Sequence, residues 1–278
     1  MMMRGYSEID VFSPESYGGN PLAVVHDAEG LTAEAMQRFA KWTNLSETTF
    51  LLPASDPAAD YRVRIFTASQ ELPFAGHPTL GSACAWLETG GPPKNGGVIV
   101  QECAAGLVTV RIEDNRLAFK APPLTRYEPV EESLVRRIAL ALRIARESIL
   151  DSSWLVNGPE WIGVRLSSAQ AVLALQPDLG DLGTLSIGVV GPHAPGSEAQ
   201  FEVRAFVGGD PVWEDPVTGS LNAGLARWLS ETGMAEQHYV ASQGTAIGYS
   251  GRVHIDIDGT DIWVGGHVTR CVHGTVNL

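Results

Sequence analysis

His77-Pro78-Thr79-Leu80-Gly81-Ser82 returns later in the chain as Asp215-Pro216-Val217-Thr218-Gly219-Ser220, at an offset of 138 residues (215 − 77). An apolar run follows each copy, Ala83 to Leu87 in the first and Leu221 to Leu225 in the second. Ahead of the copies stand Tyr61-Arg-Val-Arg-Ile-Phe66 and Phe201-Glu-Val-Arg-Ala-Phe206. Both alternate apolar and polar residues, the pattern of a half-buried strand. Behind them, Gly106 to Phe119 matches Gly251 to Val264, at an offset of 145 (251 − 106). Each of these reads as strand, polar turn, strand, and Asp258-Gly259 is a hairpin signal because a tight turn needs positive φ. Matched blocks in the same order point to an internal duplication.

The expected class is therefore α+β, with two duplicated domains at residues 1–122 and 123–278. Pro122-Pro123 closes the first, and the C-terminal strand is expected to pack back onto it. Each domain should be a barrel-like, mostly antiparallel sheet around a central helix entered through Gly81-Ser82 or Gly219-Ser220, with a cleft between the two. Further helices are expected over Thr32 to Trp42, with Thr32 as N-cap, and over Glu131 to Leu150, where Leu134, Ile138, Leu142 and Ile149 lie near one face.

Composition excludes several classes. A hydrophobic share of 44% against 18% charged residues supplies a core and argues against disorder. A net charge of −13 repels phosphate backbones and anionic lipid, so neither a nucleic acid nor a membrane is an expected partner. Three cysteines without a Cys-x-x-Cys pair fit reduced thiols rather than a disulfide frame or a zinc site. No apolar run nears the ~18 residues of a membrane span, and no leader pattern opens the chain, so the expected location is the cytoplasm.

Helix N-termini carry unpaired N–H groups and the positive end of the dipole, so two glycine-serine entries suit a carboxylate ligand. Taken singly, each is better explained as a cap of a buried helix; the duplication and the neighbouring polar residues favour a site. His77 sits in the apolar turn Pro73-Phe-Ala-Gly-His-Pro78, where a satisfied core histidine is the plainer reading; its duplicate, Asp215, draws both toward one site. Glu47, in Asn44-Leu-Ser-Glu-Thr-Thr-Phe50, stands at the start of a strand beginning near Thr48. On composition alone it is an ordinary loop glutamate. Its neighbours Leu45 and Phe50 could desolvate it and raise its pKa toward acid/base use.

These residues carry a resemblance. Asp10-Val-Phe12, Gly19-Asn-Pro-Leu-Ala-Val24, Leu45-Ser-Glu-Thr-Thr-Phe50, Phe66-Thr67, Glu71 to Gly81 and Glu214-Asp-Pro-Val-Thr-Gly-Ser220 resemble the phenazine biosynthesis PhzF-like isomerase family, of the diaminopimelate-epimerase-like fold. The resemblance implies a homodimeric, cofactor-independent and metal-free isomerase acting on a small carboxylate-bearing molecule, similar to trans-2,3-dihydro-3-hydroxyanthranilate isomerase. It implies Glu47 as the acid/base. Asn20, Ser46, Gly76, His77, Asp215, Gly219 and Ser220 would bind substrate. The loop from Phe206 to Trp213 departs from the family pattern and bears on substrate identity.

Other readings are a non-catalytic binding protein on the same fold, a serine hydrolase through Ser220 or Ser46 with His77, and a metal site at His254, Asp256 and Asp258. No Gly-x-Ser-x-Gly elbow supports the hydrolase. The metal trio alternates along one strand, as a solvent-facing side does. The matched turns hold His77 and Asp215 rather than cysteines, which argues against a two-thiol racemase.

Overall fold

The computed structural model describes residues 2–178, 180, 183–209 and 213–278. The chain forms two compact units, Met1–Lys120 with Gly265–Leu278, and Ala121–Val264.

The first unit runs β1 (Met3–Val11), β2 (Asn20–Val25), α1 (Ala33–Thr43), β3 (Glu47–Leu52), β4 (Tyr61–Phe66), β5 (Glu71–Leu72), α2 (Gly76–Glu88), β6 (Val98–Cys103), β7 (Gly106–Glu113) and β8 (Arg116–Lys120). The second runs β9 (Arg126–Pro129), α3 (Glu132–Ala141), β10 (Asp151–Val156), β11 (Glu160–Arg165), α4 (Ala169–Leu173), β12 (Ser186–Pro192), β13 (Phe201–Val207), β14 (Trp213–Asp215), α5 (Gly219–Glu231), β15 (His238–Gln243) and β16 (Gly251–Asp258). Strand β17 (Asp261–Asn277) begins in the second unit and continues into the first, where it pairs antiparallel with β1 from Val11↔Val268 to Met3↔Asn277.

The pairing order repeats. β1–β2 and β10–β11 are antiparallel, β2–β3 and β11–β12 parallel, β3–β4 and β12–β13 antiparallel. β4–β6 and β13–β15 are parallel, and β6–β7 and β15–β16 antiparallel. Each unit is thus a curled, mostly antiparallel sheet around one helix. That helix is α2 in the first unit and α5 in the second, and nine of the thirteen residues of α2 and ten of the thirteen of α5 are buried, as a largely enclosed helix requires. The outer sheet faces carry the amphipathic helices. Met36, Phe39 and Ala40 of α1 pack on Phe50 and Phe66 in one unit. Val135 and Ile138 of α3, with Val172 of α4, pack on Ile162 and Val189 in the other.

Local signals read from the sequence hold at several places. The Thr32 hydroxyl accepts from the Ala35 N–H and caps α1, and Gly259 turns the β16–β17 hairpin at φ +60°. The helix expected over Glu131 to Leu150 is shorter. It ends at Ala141, because Arg143 takes a left-handed φ of 55°, and a short 3₁₀ turn at Arg146–Ser148 follows. The apolar pattern still points to one core, for Ile138, Leu142 and Ile149 all pack in the same cluster.

The entry of α2 also differs from expectation. Gly81-Ser82 does not start the helix; α2 begins one turn earlier, at Gly76, whereas α5 begins at Gly219. Pro78 is no obstacle in a first turn, where its missing N–H would have no helical partner. In the second unit a side chain takes the groups that such an extra turn would use. Gln243 Oε1 accepts the Thr218 N–H at 3.1 Å, and Gln243 Nε2 donates to the Asp215 carbonyl at 3.0 Å.

Candidate active site

Along β3, alternate residues face opposite sides of the sheet. Thr48 and Phe50 look toward α1: the Thr48 and Thr43 hydroxyls lie 2.8 Å apart, and the Phe50 and Phe39 rings meet edge to face. Thr49 looks the other way, where its hydroxyl accepts from Ser82 of α2 at 2.9 Å. Glu47 shares that face, so the strand period aims it at the central helix. Its Oε2 lies 3.4 Å from Nε2 of His77, the second residue of α2. That is longer than a formed hydrogen bond and within reach of one after a small movement.

The pair is mostly withdrawn from solvent, with side-chain exposures of 15% for Glu47 and 5% for His77. Burial drives the His77 imidazole down to about 3, so it is neutral at ordinary pH. The extra first turn of α2 is therefore what carries His77 to Glu47. Pro78 within it also leaves the backbone N–H groups of Gly76 and His77 as the turn's orphan donors. Asn20, fully buried, begins β2 two residues before Leu22, which pairs with Glu47 across the parallel ladder. Ser46 directly precedes Glu47 and is half-buried. The turn ahead of Asn20 hangs on Asp10, whose carboxylate accepts the N–H groups of Gly18 (2.9 Å) and Gly19 (3.0 Å).

The first unit thus brings Glu47 and His77 into contact, with Ser46 and Gly76 adjoining them in sequence. Gly81 has a different role from the one its motif suggests. A Cβ there would lie 2.5 Å from Leu22 Cδ2, so this glycine lets α2 press on β2 rather than admitting a ligand. Ser82, bonded to Thr49, likewise fastens helix to sheet.

In the second unit, Asp215 ends β14 and is 7% exposed. Its Oδ2 accepts the Thr218 hydroxyl at 2.6 Å. Gly219 and Ser220 open α5, with Thr218 in the N-cap position. Ser220, expected to cap this helix, does not: its Oγ accepts the Trp161 indole N–H at 3.1 Å, and its carbonyl accepts from Asn157 Nδ2 at 2.8 Å. Trp161 and Asn157 were not legible as partners of Ser220, because only the β10–β11 hairpin brings them there.

The duplication is chemically unequal. Register Leu22↔Glu47 in the first unit corresponds to Trp161↔Ser186 in the second, so Ser186 stands where Glu47 does. His77 corresponds to Asp215. One unit therefore offers a carboxylate beside a neutral imidazole, and the other a hydroxyl and a hydrogen-bonded carboxylate.

A clasp is repeated in both. Arg64 grips Glu71 through two bonds of 2.7 Å, and Arg204 grips Glu214 through bonds of 2.9 and 2.7 Å. Each guanidinium also lies over a phenylalanine on its own strand, Phe66 and Phe206, at 5.1 and 4.9 Å. The clasps tie β4 to β5 and β13 to β14, the strands that lead to His77 and Asp215.

Cys84 lies on α2 and Cys103 ends β6. Burial is the main cause that pushes the Cys84 thiol up to about 12, and it raises Cys103 as well, so neither offers a ready thiolate. His254 and Asp256 lie on the half-buried side of β16, opposite buried Val253 and Ile255, with Asp258 exposed at its end; Asp256 pairs with His238. Of the Phe206 to Trp213 loop, residues 210–212 lie outside the described residues. Among the described residues no helix is long and apolar enough to cross a membrane.

Comparison with known proteins extends over nearly the whole chain. A sequence model of the phenazine biosynthesis-like protein family matches residues 9–274. The Schizosaccharomyces pombe protein antisense-enhancing sequence 1 is 35% identical, over 99% of each chain. A trans-2,3-dihydro-3-hydroxyanthranilate isomerase of Pseudomonas chlororaphis is 32% identical, over 99% of this chain and 100% of its own. In fold, the chain is similar to a Bacillus anthracis phenazine biosynthesis protein of the PhzF family, with a TM-score of 0.82, 23% identity and full coverage of both chains.

Proposed function

Since the chain belongs to the phenazine biosynthesis-like protein family and is an isomerase of the PhzF type, we propose that Glu47 is its acid/base, moving one proton on a small carboxylate-bearing substrate. The observation that carries this is the buried approach of Glu47 Oε2 to His77 Nε2 at 3.4 Å.

A single carboxylate suffices for such an isomerisation. As the base, Glu47 takes a proton from an activated carbon of the substrate and becomes the acid. It then delivers a proton, exchangeable with solvent while it sits on the carboxyl group, to another carbon of the same conjugated system, and the enol that results becomes a ketone. Protons and electrons balance within the substrate, and Glu47 ends as it began. Ser186, at the duplicate position, has no acid/base capacity at ordinary pH, which favours one shuttle over two. Neutral His77 supports the same scheme. It offers Glu47 a hydrogen bond without the fixed positive charge that would trap the carboxylate in its ionised form.

Asn20, Ser46, Gly76 and His77 of the first unit, with Asp215, Gly219 and Ser220 of the second, are the substrate-binding groups in this scheme. The first-turn N–H groups of α5 suit an anionic group of the substrate. The relatives named trans-2,3-dihydro-3-hydroxyanthranilate isomerase make that compound the substrate to test first. The family resemblance also supports a homodimer.

The experiment is solvent-deuterium incorporation into trans-2,3-dihydro-3-hydroxyanthranilate and related ring carboxylates. Wild type should exchange one carbon-bound position, and Glu47→Gln should lose at least ~100-fold in rate, the range for a missing general acid/base. Equal rates in the two proteins would remove Glu47 from the mechanism. No exchange on any candidate, together with tight binding of a protein partner, would favour a binding protein on this fold.

A further inference from the structure

We propose that Thr218 and Gln243 are positioning residues for Asp215, forming a one-way hydrogen-bond chain that holds its carboxylate in a single orientation and as an acceptor. The proposal rests on Asp215 being a substrate-binding group.

The direction of the chain follows from counting donors and acceptors. Gln243 is fully buried, at 0% exposure. Its Oε1 receives two N–H groups, from the Thr218 backbone at 3.1 Å and from Asn222 Nδ2 at 2.9 Å. Its amide orientation is therefore set, and Nε2 points both its protons elsewhere. One goes to the Asp215 carbonyl at 3.0 Å, the other to the Thr218 hydroxyl oxygen at 2.9 Å. Asn222 is fixed in turn, since its amide also donates to the Thr218 carbonyl at 2.9 Å. The Thr218 hydroxyl has one proton. With its oxygen already receiving from Gln243, that proton goes to Asp215 Oδ2 at 2.6 Å, the short length of a bond to an ionised acceptor.

The first unit shows the same kind of parts ending differently. The first unit has a buried glutamine beside its own central helix, Gln101, which accepts from the Tyr61 hydroxyl at 2.9 Å and donates to Thr79 at 3.0 Å. Thr79 then donates to the Ala75 carbonyl, within the helix. The same kind of parts there complete a helix. In the second unit they end on a carboxylate, and Gln243 keeps residues 215–218 out of the helix so that Asp215 stays on β14. The neighbouring charges, Glu214 and Arg204, are engaged with each other and would be untouched by changes at Thr218.

The test compares Thr218→Val, Thr218→Ser and Asp215→Asn in the full-length protein. Carboxylate ¹³C NMR of the ligand-free protein reads Asp215 directly, its signal assigned by loss in Asp215→Asn. Thr218→Val should raise the midpoint of its titration, because a bond to the ionised form has been removed, and Thr218→Ser should restore it. With trans-2,3-dihydro-3-hydroxyanthranilate, Thr218→Val should raise KM about tenfold, the size of a lost hydrogen bond to a charged group, with a much smaller change in kcat; Thr218→Ser should restore KM. An unmoved titration in Thr218→Val, or a Thr218→Ser protein no better than Thr218→Val, overturns the proposal. Failure of the underlying reading looks different: Asp215→Asn itself would then leave KM and kcat at wild-type values.

Discussion

Removing Glu214 should cost far more stability than removing Glu71, although the two residues make the same clasp. Arg204 and Glu214 have side-chain exposures of 7% and 11%, against 28% and 36% for Arg64 and Glu71. Glu71→Ala frees a guanidinium that water can hydrate, a loss of about 0.2–1 kcal/mol. Glu214→Ala leaves a charge buried without its counter-ion, a penalty of about 3–5 kcal/mol. Arg204 retains the Leu175 carbonyl at 2.8 Å, which places the expected loss near the lower end, about 3 kcal/mol. In a chain of this size that is a fall in Tm of roughly 6 °C, against at most about 2 °C for Glu71→Ala. Differential scanning calorimetry is the suitable assay, since two units need not melt in one step. The double change Arg204→Met with Glu214→Leu should recover most of the loss, because an apolar pair carries no stranded charge. Equal shifts for the two single variants, or no recovery in the double, would refute the assignment of the difference to burial.

Burial of His77 predicts a pH dependence. The folded imidazole titrates at about 3 instead of 6.5, so between those values the unfolded chain takes up a proton that the folded protein refuses. Stability should therefore be fully present above pH ~6.5 and fall as pH drops, by up to ~1.4 kcal/mol per unit, levelling off near 3. The Tm of His77→Gln should fall less steeply than that of wild type between pH 7.5 and 3.5, and parallel curves would count against a neutral buried imidazole. At Gly81, a valine would drive a side chain into Leu22 Cδ2, which a Cβ alone would meet at 2.5 Å. Overpacking of that kind costs about 1–3 kcal/mol, and Leu22→Ala in the same chain should return part of it; a neutral Gly81→Val would show that α2 does not lean on β2 there.

Periodicity and turn chemistry are local properties, and they were legible. The strands at Tyr61–Phe66 and Phe201–Phe206, the Thr32 cap and the Gly259 turn each depend on a few neighbouring residues, and the repeat of such signals at a near-constant offset exposes the duplication; the half-buried pattern itself holds only for the first strand, since Glu202 and Arg204 of the second are buried too. The family motifs likewise named Glu47, His77 and Asp215 as residues to examine. The start of α2 was not legible, because the same Pro-containing motif is helical in one unit and extended in the other. What separates them is Gln243, 25 residues beyond Thr218 in sequence and bonded to it.

By itself the sequence determined a duplicated α+β chain with a core helix in each half, since those features follow from the spacing of apolar residues and turn formers along the backbone. Only the tertiary structure decided which side chains meet. Glu47 and His77 are 30 positions apart (77 − 47), and their contact exists because β3 aims alternate residues at the first turn of α2. The same holds for the two Arg–Glu clasps, alike in sequence yet different in exposure. Burial is set by what other parts of the chain lay over a residue, and no local pattern records that.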